Sequence, residues 1–248
     1  MYQPEVEQQQ AQREKEKRFE KAKYYLLLGE YDDASTIIRN VFNDLGELGA
    51  TLTDEQAKVV VSCFKGSAES RRKKLRSLEI FGQMVKDDDR RKELKKEAVN
   101  ECVQGYQNML FSVCNTSIKM LNETLFPFAT TPYQRVLYCA TVADFWRYKI
   151  DCQRGEDINS IIEQAYQEAR NLAESLGIGP ADQLRLSIGL NFAIFMSDVK
   201  KDKAKALEIG TRVRDLAINR MEMPFFKPTE EALNVLEILE GNIRKWSS

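Results

Sequence analysis

All six prolines of this 248-residue chain lie outside helix interiors, and no stretch sustains the apolar–polar alternation of a half-buried strand. Those two facts leave little besides helices. The predicted fold is all-α, with about nine of them. Start and stop signals divide the chain accordingly. Thr53 with Gln56 three residues on forms a capping box that opens a long helix running past Met84. Thr131-Pro-Tyr-Gln134 and Thr229-Glu-Glu231 are two further starts, and Pro180 is read as opening another helix. Gly29, Gly155 and Gly177 mark stops. Lys86–Lys92 reads as a charged, solvated loop, and a second long helix is expected from about Leu94 to Leu125, closed by Phe126-Pro-Phe128. Residues 1–20 are rich in Gln, Glu, Lys and Arg, so they read as a polar N-terminal extension, and residues 21–248 as the helical domain. The run from Lys21 to Ala34 is similar to half of a tetratricopeptide unit, but no regular repeat follows.

Composition removes several chemistries. The chain has no histidine, which takes away the commonest general base and metal ligand and every nucleophile paired to histidine. Five cysteines are scattered without CxxC spacing, as expected of reduced thiols in a cytoplasmic protein and not of a disulfide frame or zinc site. A net charge of −1 gives no bulk attraction to nucleic acid or membrane. No apolar run approaches the roughly 20 residues that span a bilayer. No glycine-rich phosphate loop or clustered acidic pair is visible, so neither an enzyme nor a metal or nucleotide cofactor is expected.

The chemistry that remains is concentrated in Lys65–Arg76, where six basic residues face one acid. At about 100° per residue, Lys65, Arg72 and Arg76 fall within roughly 20° of one helical stripe. Three stacked cations repel one another unless an anion sits among them, and guanidinium forks suit phosphate or carboxylate. The plainer reading is a solvated basic face. Further on, Arg147 and Tyr148 stand side by side in Asp144-Phe-Trp-Arg-Tyr148. Asn191 lies among Leu190, Ile194 and Asp198, and Asn242 between Ile238 and Trp246, each at helical spacing. An amide on an apolar face is costly to bury without a partner, and it can hold a peptide backbone through both donor and acceptor.

These segments, together with Ala165-Tyr-Gln-Glu-Ala169 and Arg185–Phe195, resemble the 14-3-3 family over about Lys21 to Ser248. The resemblance implies nine antiparallel helices forming a cup whose inner groove binds phosphoserine or phosphothreonine segments of client proteins. It implies that Lys65, Arg72, Arg147 and Tyr148 hold the phosphate, with Arg76 and Asp198 in support. Asn191 and Asn242 would hold the peptide backbone, and Leu190, Ile194, Ile238 and Trp246 would form the apolar wall. A diverged scaffold that binds unmodified proteins is the competing expectation. The chain departs from the family pattern at Ala140, where the groove carries a lysine, at Asn234, at Leu75 and at Lys73-Lys74. The family's dimer contacts are altered too: Glu30 and Met109 replace an arginine–glutamate pair, while Cys102 and Gly105 leave Asp33 without its usual lysine. A homodimer weakened or rearranged relative to the family's is therefore expected.

Overall fold

A computed structural model describes residues 3–83, 92–152 and 156–247. Among the described residues there are nine α-helices and no strand. The helices are α1 (Gln3–Leu27), α2 (Tyr31–Ala50), α3 (Asp54–Gln83), α4 (Lys92–Lys119), α5 (Pro132–Tyr148), α6 (Glu156–Ser175), α7 (Gln183–Asp198), α8 (Lys203–Met221) and α9 (Glu230–Ser247). Met84, Gly155 and residues 86–91 of the expected charged loop lie outside the described residues. The chain divides into two units, Met1–Thr130 with Tyr148–Arg154, and Thr131–Arg147 with Gly155–Ser248.

Capping chemistry sets the ends. The capping box is made in both directions: Thr53 N donates to Gln56 Oε1 at 3.1 Å, and Gln56 N to Thr53 Oγ1 at 3.2 Å. Thr131 and Thr229 each accept a backbone N–H three residues on, at 3.1 and 3.2 Å. Gly29 (φ 77°) and Gly177 (φ 73°) supply the left-handed residue that closes α1 and α6. In both, the following residue's N–H reaches five residues back at 2.9 Å, satisfying a carbonyl the helix end would otherwise leave unpaired.

Three expectations need correction. Pro180 does not begin α7; Asp182 caps it, accepting from Leu184 N at 2.8 Å, and Pro180 lies in the preceding turn. The second long helix keeps α-geometry only to Lys119, then widens into a π-helical turn (Met120–Leu125) and a 3₁₀ turn (Phe126–Phe128). Pro127 keeps the α-ladder from resuming there, because it has no N–H to donate. The first 20 residues do bury side chains. Phe19 is 2% exposed, and Lys15, 3% exposed, donates to Leu48 O at 2.7 Å and to Thr51 O, two carbonyls at the end of α2. Burial lowers the Lys15 pKa, while those carbonyls accept hydrogen bonds from the ammonium. Arg18 adds a 2.5 Å ion pair to Asp44. This part of α1 is thus fixed to α2 by polar contacts that composition alone conceals.

In the first unit α1 packs on α2, α2 on α3 and α3 on α4; in the second, α7 packs on α6, α8 and α9. Helix α7 is apolar nearly all round, as a helix enclosed on several sides must be, and Leu186 meets Ala217 of α8 and Ala232 of α9. No described helix is long and apolar enough to cross a membrane. Cys63 and Cys114 are fully buried, and burial pushes both thiols up to about 12.

Candidate functional site

The basic stretch lies wholly on α3. Its two adjacent arginines point apart, because neighbouring residues on a helix are about 100° apart. Arg71 faces α2 and makes a two-pronged pair with Asp32, at 2.7 and 3.0 Å, while Ser67 Oγ donates to the same carboxylate at 2.5 Å. Partial burial alone would raise the Asp32 pKa, but the bonds from Arg71 and Ser67 outweigh it and hold the carboxyl below its ordinary value. Arg71 is therefore a tie between α2 and α3, a role the sequence alone does not assign.

Arg72 faces the other way. Its guanidinium carbon lies 4.4 Å from the centre of the Tyr148 ring, and its Nε donates to Asp151 Oδ2 at 2.6 Å. Asp151 sits in the 3₁₀ turn Lys149–Asp151 after α5, and its backbone carbonyl accepts from Gln107 Nε2 at 3.2 Å. Tyr148 is 1% exposed, yet its hydroxyl donates to Glu69 Oε1 at 2.7 Å. Arg72 and Tyr148 thus lie together. Lys65 is half-buried on the same helix, and Arg76 is exposed one turn beyond Arg72.

Glu69 is a site residue that the sequence reading does not select. It is the single acid of the basic stretch, and Lys65, Glu69, Arg72 and Arg76 follow the i, i+4, i+7, i+11 spacing of one stripe. The signal is present, since that spacing places the carboxylate in the middle of the cations. Glu69, Arg72, Lys73 and Arg76 line one cavity of about 530 Å³ in the first unit.

The second unit contains a polar hub built on Asp144, a buried carboxylate of α5. Tyr166 Oη donates to Asp144 Oδ1 at 2.6 Å, Asn191 Nδ2 donates to the same oxygen at 3.0 Å, and an Arg147 amine lies 3.8 Å from it. Arg147 Nε in turn donates to Tyr166 Oη at 2.9 Å. Burial, then the Asp144 charge, pushes the Tyr166 phenol well above its ordinary value, so it stays a donor. The amide on the apolar face of α7 thus has an internal partner for its N–H, a bond in which the Asn191 carbonyl oxygen takes no part. Asn242 Nδ2 likewise donates to Ile238 O of its own helix at 3.1 Å.

The expected wall residues differ in exposure. Leu190 and Trp246 are buried, Ile194 is half-buried and Ile238 is 55% exposed. Trp246 packs close to Gly210, joining α9 to α8. Asp198 and Asn234 are exposed, whereas Ala140 and Leu75 are buried. Among the described residues no group of three or more His, Cys, Asp or Glu side chains is arranged to hold a metal.

Comparison with known proteins agrees with this helical pattern. The family model for the 14-3-3 protein matches residues 21–247. The 14-3-3-like protein 2 of Caenorhabditis elegans is 25% identical over 237 residues, covering 94% of this chain and 92% of that protein. The 14-3-3 protein beta/alpha of Xenopus tropicalis is 25% identical and the 14-3-3 protein theta of Mus musculus 26%, each over 238 residues, 95% of this chain and 94% of the relative. The chain belongs to the 14-3-3 family.

Proposed function

We propose that this protein is an adaptor that binds phosphoserine or phosphothreonine segments of client proteins in the cytoplasm, without catalysis. Lys65, Arg72 and Tyr148, with Arg147 next to Tyr148 in the chain, take the phosphate; Asn191 and Asn242 hold the peptide backbone. Arg76 and Asp198 support them, and Leu190, Ile194, Ile238 and Trp246 contact the flanking side chains. The observation that carries this reading is the Arg72–Tyr148 stack, whose two donors already hold carboxylate oxygens. A phosphate presents the same kind of acceptor with a charge of about −1.5 to −2, so it competes well for those donors. A scaffold for unmodified partners would gain nothing from clustering them. Paired titrations with phosphorylated and unphosphorylated forms of one peptide test the proposal.

Glu69 modifies that competition. A phosphate that takes the Tyr148 hydroxyl must displace the Glu69 carboxylate or sit beside it, and two anions in contact repel. Glu69 is exposed, so solvent screens much of the repulsion. Glu69→Gln is expected to tighten phosphoserine-peptide binding about five- to tenfold, close to about 1 kcal/mol. Calorimetric titration of the two proteins under one set of conditions checks this, and unchanged affinity would place the ligand away from Tyr148.

We propose a homodimer that is weaker than, or rearranged from, the family's. Glu30 and Met109 are both exposed and cannot pair, Cys102 is exposed, and Gly105 offers no side chain. Tyr24, Leu27 and Leu28 expose apolar surface at the end of α1, from 65% to 82%, enough to support a different contact. Sedimentation equilibrium is expected to show dissociation to monomer as protein is diluted. A dimer persisting at nanomolar concentration would contradict the weakening.

A further inference from the structure

A second basic cluster lies in the unit of Thr131–Arg147 with Gly155–Ser248, apart from the residues assigned to phosphoserine. Arg170 of α6, Arg185 of α7 and Arg212 of α8 line one cavity of about 250 Å³. Among the described residues of that lining Glu174 is the only carboxylate, so three positive charges face one negative charge. Glu174 is 70% exposed on its side chain and stands 3.9 Å from Arg185, a long and solvated pair. Arg185 is held in place by its bond to Ile178 O at 2.8 Å, a neutral partner. Among the described residues neither Arg170 nor Arg212 has a carboxylate at ion-pair distance. The nearby Glu208 is taken up by Lys205 at 2.9 Å.

The neighbouring cavity, about 680 Å³, shares Arg170, Arg212, Gln167 and Asn171 but adds Glu163, Glu168 and Glu208 against Lys205. Its charges balance, so an anion is drawn to the smaller cavity alone. Burial lowers the Arg170 pKa, and Arg212 and Arg185 lower it further despite Glu174 and Glu208. Like charges are thus close enough to be felt in a partly buried place. Three helices bring guanidiniums together there at a net electrostatic cost, with the Arg170 guanidinium 5.5 Å from the Phe192 ring as one offsetting contact.

The geometry points to a second anion site, formed by Arg170, Arg185 and Arg212, that takes a phosphate group of about two negative charges. The phosphate can come from a small free molecule or from a phosphorylated protein segment, and the chemistry of recognition is the same. The site does not depend on the phosphoserine reading. Gln167 and Asn171 stand at its rim, with Gln167 Nε2 already donating to Asn171 Oδ1 at 2.8 Å.

The test uses the full chain carrying Arg72→Gln, which weakens the other proposed phosphate site and leaves the Asp144 hub intact. Inorganic pyrophosphate is titrated in while the arginine Nε–Hε NMR signals are followed, and a phosphoserine peptide is titrated separately. Saturable shifts of the Arg170, Arg185 and Arg212 signals with pyrophosphate are expected. Adding Arg212→Gln should weaken that midpoint at least about tenfold, with Arg212→Lys weakening it less. Arg212 is exposed, so its loss leaves the fold in place. The same shifts with the peptide would assign the phosphate source to protein segments as well, and shifts with pyrophosphate alone would assign it to small anions. Absence of saturable shifts with either probe, or a midpoint indifferent to Arg212→Gln, would overturn the proposal.

Discussion

Arg72→Ala is expected to weaken phosphoserine-peptide binding at least about thirtyfold, or ~2 kcal/mol, while leaving the helical circular dichroism unchanged. The substitution removes a guanidinium that stacks on Tyr148 and would bond the phosphate directly. It also frees Asp151, whose side chain is only 30% exposed, so an unpaired carboxylate is left facing the incoming anion. The fold tolerates the change because Asp151 retains contact with water. Arg147→Ala should weaken binding comparably, but it does not leave the fold untouched. Arg147 bonds Tyr166 and lies near the buried Asp144, so its removal takes a cation from a hub that cannot hydrate freely. Affinity should therefore fall together with thermal stability for Arg147→Ala, and alone for Arg72→Ala. A loss under about 0.5 kcal/mol for Arg72→Ala would mean that the phosphate is held elsewhere.

Gly49→Ala is expected to cost about 2–3 kcal/mol of stability, read as a lower urea midpoint. Helix α2 bends at Gly46, whose φ of 52° and ψ of −127° lie far from helical values. After that bend Gly49 lies against the backbone of the earlier turns: an added Cβ would stand 2.5 Å from Val41 O and 3.2 Å from Phe42 Cα. Backbone cannot swing aside as a side chain can, so α2 must shift, and with it Lys15's bonds to Leu48 and Thr51. A variant as stable as the parent would show that the second part of α2 does not fold back in this way.

The parts of this fold legible in the sequence are those set by local chemistry. Thr53–Gln56, Thr131 and Thr229 cap at the expected places, because a capping side chain reaches only a few residues. Gly29 and Gly177 stop helices for the same local reason. The Gly46 bend and the π-turn at Met120–Leu125 are not legible, since neither is set by one turn of sequence. Pro180 misleads because proline fits a helix's first position and the turn before it equally well.

For the candidate site, helical spacing puts Arg72 on one stripe with Lys65 and Arg76, while only the family resemblance adds Tyr148, whose ring lies against Arg72. Spacing does not reveal what holds them. Asp151 and Glu69 come from a following turn and from within the basic stripe, and Tyr166 and Asp144 from different helices. Such pairings depend on how helices pack, which spacing along one helix does not encode. Glu69 is the exception, and it is easily passed over because a lone acid among six bases looks like charge balance.

Peptide binding by the proposed adaptor is expected to depend on the phosphate. Titrating the full chain with one serine-containing peptide in phosphorylated and unphosphorylated form, at one salt concentration, tests it most directly. Saturable binding of the phosphorylated form is expected, with at least about a hundredfold weaker binding of its twin, since two or more charge-assisted bonds are lost. Equal affinity for the two forms would contradict it.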